Sequence, residues 1–167
     1  MRRTLPTRII LVTITLLAWW ITACSPTIGC GVRRNKRVHS DLLLQIGVNG
    51  CDIRAGDKVH ITFTVTNQGS SQKVVETQGL PVLDIQVAVD ERRTKVLAAW
   101  SEEHPDLVVN RLVWLPGESK AIEMDWTAEY VNFYGIPMIG MLNEGLNTAE
   151  FVDVGICVMC DNPNPEY

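Results

Sequence analysis

Cys157-Val158-Met159-Cys160 is a CxxC, a spacing that serves thiol redox chemistry, zinc ligation or a structural disulfide. Redox work needs a strand before the motif and a helix after it, and only DNPNPEY follows. Zinc needs more ligands than this, yet a second CxxC is missing and His39, His60 and His104 fall at no ligand spacing. No metal and no cofactor is expected. His104 lies in an acidic stretch, Ser101-Glu102-Glu103-His104-Pro105-Asp106, where a divalent ion or a general base is conceivable. A solvated turn between strands is the plainer reading. Nothing in the sequence aligns Ser, His and Asp as a triad, and no glycine-rich phosphate loop, HExxH or nucleophile elbow occurs. No catalytic residue is expected, and the chain reads as a non-enzyme.

The amino terminus decides how the thiols are read. MRRTLPTR carries three arginines and no acid, and Ile9 to Ala23 follows without a charge. That is the layout of a secretory signal peptide, residues 1–23. As a helix the apolar run spans roughly 22 Å, short of the ~30 Å hydrocarbon core, which favours cleavage over a retained span. Ile21-Thr22-Ala23-Cys24 resembles the bacterial lipobox, whose cysteine is fatty-acylated, with palmitate among its chains, after cleavage before it. The resemblance implies lipidation at Cys24 and residence at the extracytoplasmic face of the cell membrane. Arg33, Arg34, Lys36 and Arg37 argue the other way, since positive charge past an apolar segment tends to stay in the cytoplasm. Beside a lipid anchor the same charges would instead add attraction to anionic headgroups, about 1 kcal/mol each. The alternative is a solvated linker, and residues 24–39 are assigned as lipidated cysteine plus basic linker.

With Cys24 spent on lipid, Cys30, Cys51, Cys157 and Cys160 remain, and an even number in an exported chain reads as two disulfides. Cys51, just past an early strand, is expected to bridge to the C-terminal pair, with Cys30 tying the linker to the other member. The chain has 15 Lys+Arg and 19 Asp+Glu; losing Arg2, Arg3 and Arg8 with the leader leaves 12 against 19, a net of −7. Past Arg37 the count falls to 8 against 19, a net of −11. Nucleic acid is not an expected partner, because it demands the opposite sign.

The elements that must position these groups are strands. In 58–67, KVHITFTVTN, Val59, Ile61, Phe63 and Val65 alternate with His60, Thr62, Thr64 and Thr66, the period of a half-buried strand. Leu83, Ile85, Val87 and Val89 repeat the pattern, as do Ile122, Met124 and Trp126, and then Val154, Ile156 and Val158. Less regular candidates lie at 40–48, 73–77, 95–100 and 107–114. Asn, Gly, Ser, Asp and Pro cluster between them, in NQGSS, DERRT and LPGES, where chain reversals need them. About seven or eight such strands predict an all-β, antiparallel Ig-like or fibronectin III-like β-sandwich over residues 40–160, with 161–167 as a tail.

Four pieces carry a family resemblance: Val65-Thr66-Asn67, Asp84, Lys95 through Trp100-Ser101, and Leu115-Pro116-Gly117-Glu118-Ser119 leading to Trp126. In that order they resemble the BsuPI-type intracellular proteinase inhibitor domain over about residues 58–126. The resemblance implies an Ig-like sandwich and, as an alternative function, proteinase inhibition; the matched residues are scaffold and none is assigned to inhibition. After Trp126 the chain departs from that pattern, with 24 residues before Phe151 and Val154-Gly155-Ile156 where the family has G-x-Y.

Trp100, Trp114 and Trp126 are expected in the core, with Trp114, beside the LPGES turn, the least hidden. Within the insertion at 128–150, Tyr130, Phe133 and Tyr134 stand close together before an apolar GIPMIGML run. They are the candidate binding surface; the alternative is that IPMIGML is another buried strand. The chain is therefore expected to be a lipid-anchored, exported, non-enzymatic binding module. Its partners would be the membrane, through its anchor, and an envelope or secreted protein such as a protease.

Overall fold

The computed structural model describes residues 33–50, 53–90, 92–128, 136–145 and 151–158. Among them the chain is all-β and antiparallel, with ten strands. One four-stranded sheet has the order β1 (Arg33–His39), β2 (Leu42–Val48), β3 (Lys58–Asn67), β8 (Ser119–Thr127). The other has the order β10 (Phe151–Val158), β9 (Ile136–Asn143), β5 (Leu83–Ala88), β6 (Val96–Ala99). A ribbon pairs β4 (Lys73–Glu76) with β7 (Arg111–Trp114). One helical turn, α1 (Trp100–Glu103), follows β6 and precedes a 3₁₀ turn at Pro105–Leu107.

The alternation in β3 does what period two demands. Val59, Ile61, Phe63 and Val65 are buried, while the residues between them are half-exposed. Leu42, Leu44, Ile46 and Val48 of β2 and Met124 and Trp126 of β8 join them. Across the core stand Leu83, Ile85, Val87, Ile136, Met138, Leu142, Val154, Ile156 and Val158, so both four-stranded sheets bury one shared apolar cluster. Phe63 of β3 packs over Gly140 of β9. A Cβ on Gly140 would fall 2.2 Å from Cδ2 of Phe63, so the absent side chain makes room for the ring.

Two strands go beyond the eight expected from sequence. Arg33–His39, read there as basic linker, forms β1, because Ser40 and Asp41 both take positive φ (47° and 69°) and close a two-residue hairpin onto β2. Ile136–Asn143 forms β9, buried along its whole length, so the apolar run is an interior strand rather than a docking loop. Its continuous hydrophobicity follows from cover on both faces. Two smaller expectations also change. Val89 is half-buried beyond the end of β5, where the register against β6 shifts between Val87 and Ala88. Trp114, expected to be the least hidden tryptophan, is the most buried of the three, at 0% exposure.

Candidate functional site

The four motif pieces turn out to be joints of the scaffold. Asn67 ends β3 with no exposed surface; its Nδ2 donates to the Ser71 carbonyl at 2.8 Å and the Trp114 carbonyl at 3.2 Å. Its Oδ1 accepts the Gly69 N–H at 3.0 Å. Its backbone accepts from Gly117 N and donates to Glu118 O, docking the LPGES turn. Pro116 presets that turn and Gly117 takes φ 77°, as position three of a type II turn requires. Trp114 Nε1 donates to Val65 O at 3.1 Å, and Glu118 closes the turn by accepting the Leu115 N–H at 2.7 Å. Lys120, the larger cause, and that backbone bond hold the Glu118 carboxyl below its ordinary value.

Asp84, only 3% exposed, accepts Ser101 N and Ser101 Oγ, both at 3.0 Å. It thereby caps the first turn of α1 from a neighbouring strand. Burial raises its carboxyl above the usual range against these bonds. Ser101 and His104 of the acidic stretch are thus accounted for: the first is bound to Asp84, and the second packs edge-on against Trp100 at 5.5 Å.

A different set of residues opens to solvent. Among the described residues β10 pairs only with β9, which leaves one row of its carbonyls without a ladder partner there. Arg33, Asn35 and Arg37 share the core-facing side of β1, since they oppose Val48, Ile46 and Leu44. Beyond the end of the apolar cluster they reach β10 instead. Arg33 Nη1 donates to Cys157 O at 3.2 Å, Asn35 Nδ2 to Gly155 O at 2.7 Å, and Arg37 Nη1 to Asp153 O at 3.2 Å. Two edges are blunted at once by inward-pointing polar side chains.

The β5–β6 turn leans over the same strand. Asp90 Oδ1 accepts the Thr94 N–H at 2.9 Å, Asp90 Oδ2 accepts the Thr94 hydroxyl, and Arg93 takes φ 55° between them. The hydroxyl bond is the larger cause that keeps the Asp90 carboxyl below its ordinary value. Arg93 is thereby aimed back at β10, where it pairs with the Asp153 carboxylate and donates to Met141 Sδ at 3.1 Å. Its guanidinium lies 4.4 Å from the centroid of the Phe151 ring. Arg37 holds the other Asp153 oxygen at 3.2 Å.

Between β1, β10 and this turn lies a cleft of about 350 Å³. Lys36, Arg37, Arg92 and Arg93 line it against one acid, Asp153, with Pro137, Ile139 and Ile156 as apolar wall. A second recess, of about 300 Å³, lies on the outer face of the first sheet. There His60 Nδ1 meets Asp125 at 2.7 Å.

Of the residues singled out from sequence, Cys157 is buried in β10 and borders the cleft. Cys24, Cys30, Cys51, Cys160, Tyr130, Phe133 and Tyr134 lie outside the described residues. Lys36 and Arg37 belong to the basic cluster read from sequence either as attracted to anionic headgroups or as a solvated linker, whereas Arg92 and Arg93 were missed because DERRT read only as a turn. The legible signal for those two was a pair of arginines in a reversal between two apolar strands.

No protein-family model matches the chain, and no curated protein matches it in sequence. Among solved structures, a β-glucosidase from Erythrobacter marinus aligns at 10% identity and TM-score 0.35, over 76% of this chain and 15% of that one. A β-glucosidase from Listeria innocua aligns at 11% identity and TM-score 0.30, over 75% of this chain and 16% of that one. This chain thus spans about one sixth of either enzyme. What stands is a mostly β-strand antiparallel domain with no family assigned.

Proposed function

We propose that the chain is a non-enzymatic binding module on an Ig-like or fibronectin III-like β-sandwich, exported and acylated at Cys24. It is held at the extracytoplasmic face of the cell membrane, with Cys30, Cys51, Cys157 and Cys160 as its disulfide cysteines. The observation that carries the binding reading is a division of labour among the polar residues. Asn67, Asp84, Ser101 and Glu118 are consumed by joints of the scaffold, whereas the cleft beside β10 is lined by four cations against one described carboxylate, Asp153, which pairs with two of them. A fixed recess whose charge opposes that of an otherwise acidic body suits recognition of an anionic group. Support for the sandwich comes from the two four-stranded sheets and their common core.

Mass spectrometry of the protein extracted from membranes tests the anchor. The expected result is an amino terminus at Cys24 with acyl chains and no free thiol; an intact Met1 with an unmodified sulfur at position 24 overturns it.

The second reading is proteinase inhibition of the BsuPI type. It is favoured by the way the matched pieces interlock, with Asn67 on the LPGES turn and Asp84 on Ser101, as shared framework residues would. Incubation with a panel of secreted proteases tests it, and unchanged proteolysis throughout removes it.

A further inference from the structure

We infer that the cleft between β1 and β10 holds the phosphate of an anionic phospholipid headgroup. This deepens the reading of an anchored binding module, on which it rests for the source of the lipid. The first argument is charge. The part of the chain past Arg37 has 8 Lys+Arg against 19 Asp+Glu, yet the recess is bordered by Lys36, Arg37, Arg92 and Arg93, with Asp153 the one acid among its described lining residues.

The second argument is how those cations are held. Asp153 grips Arg37 and Arg93 from its two oxygens, which fixes two guanidinium planes at the cleft. Lys36 and Arg92 line the same cleft, are exposed, and have no ion pair among the described residues. A phosphate has oxygens enough to engage the fixed planes and the exposed cations together, and guanidinium forks match its geometry.

The third argument separates a lipid from a free anion. Phe151 is 44% exposed beneath Arg93, and Ile139 and Ile156 form an aliphatic wall of the cleft. Inorganic phosphate gains nothing from these groups. At a membrane interface an exposed ring and an aliphatic wall beside a cationic cluster sit at headgroup and acyl level, each in its preferred medium.

The experiment uses the full chain in zwitterionic detergent micelles, with the unfolding midpoint as readout. Phosphatidylglycerol is titrated in, with phosphatidylcholine and inorganic phosphate in parallel. A saturable rise with phosphatidylglycerol alone is expected. The double variant Lys36→Glu/Arg92→Glu alters two exposed side chains without described ion pairs, so its midpoint without lipid should be unchanged. Its apparent affinity for phosphatidylglycerol should fall at least about tenfold. The control Lys58→Glu/Arg111→Glu, which makes the same charge change away from the cleft, should keep the affinity. An equal response to phosphatidylcholine or to inorganic phosphate overturns the inference, and so does an unchanged affinity in the double variant. Cys24→Ser, which cannot be acylated, should bind phosphatidylglycerol as the parent does. Failure of the anchor therefore shows in the mass of the membrane-extracted protein, and failure of the cleft shows in the titration.

Discussion

The joint at the end of β3 and the seam between β1 and β10 answer the same demand in opposite ways. Both must satisfy backbone groups that no strand ladder reaches. At the joint one fully buried asparagine does it, bonded through Nδ2, Oδ1, N and O, beneath a fully buried tryptophan. At the seam long side chains reach over from β1, and Arg37 and Asp153 stay 52% and 37% exposed. The joint is dry and has one arrangement. The seam is wet, its bonds compete with water, and its cations keep capacity for another anion. Stability should therefore concentrate in the first region and ligand response in the second.

The largest effect should come from the joint. Trp114→Ala deletes a fully buried indole and its bond to Val65 O, and about 3–5 kcal/mol of stability should be lost. Equilibrium denaturation measures it, and a loss under ~1 kcal/mol would mean that the joint is not where the fold is held. Asn67→Ala comes next. It removes the side-chain bonds to the Trp114 and Ser71 carbonyls and to the Gly69 N–H, while the backbone bonds to the LPGES turn remain, at a cost of about 2–3 kcal/mol in the same assay.

These two residues mark what the sequence made legible. Alternation in β3 and β8 announces both strands to the residue, and the V-T-N and P-G-E-S pieces point to the turn they build. The depth of Trp114 was not legible, because burial beside a turn depends on β3 passing over it, a contact 49 positions away. The seam was harder still. Arg37 and Asp153 are 116 positions apart, and nothing in RRNKRVH says that its odd members face a strand edge. Four charges in seven residues look like a solvated linker until the Ser40-Asp41 hairpin pairs them with β2. Strand β9 was ambiguous for another reason. Eight consecutive buried positions carry no period, and periodicity is what distinguishes a strand from an apolar surface.

On the seam, the comparison predicts small losses. Asn35→Ala removes one part-buried bond to the edge of β10 and should cost about 1 kcal/mol. Arg37→Ala breaks a solvent-exposed pair and should stay within about 0.5 kcal/mol. If either matched Asn67→Ala, the two regions would not differ in the way argued.

Acid should separate them by sign, with the smallest effect on overall stability. Asp90 holds the turn that aims Arg93, and its bonds to Thr94 keep its carboxyl below the ordinary 3.8. For a depressed carboxyl the stabilisation is complete above the unfolded value and is lost as pH falls through the folded one. The turn should thus let go only below about pH 3.8. Asp84 is the reverse case, because burial disfavours its charged form and lifts it above 3.8. Its ionisation costs stability, a cost absent below the unfolded value and complete once pH has risen through the folded one. On acidification Asp84 therefore takes its proton first, with the Arg93 turn still closed, and Asp90 takes its proton last. Carboxyl carbon shifts followed by NMR against pH should show Asp84 titrating above Asp90. The Thr94 amide proton should move only with the later step, and Asp90→Asn should abolish that movement. A Thr94 amide that shifts together with Asp84 would show that α1 and the Arg93 turn respond as one unit, and the distinction between a committed scaffold and a responsive seam would have to be drawn elsewhere.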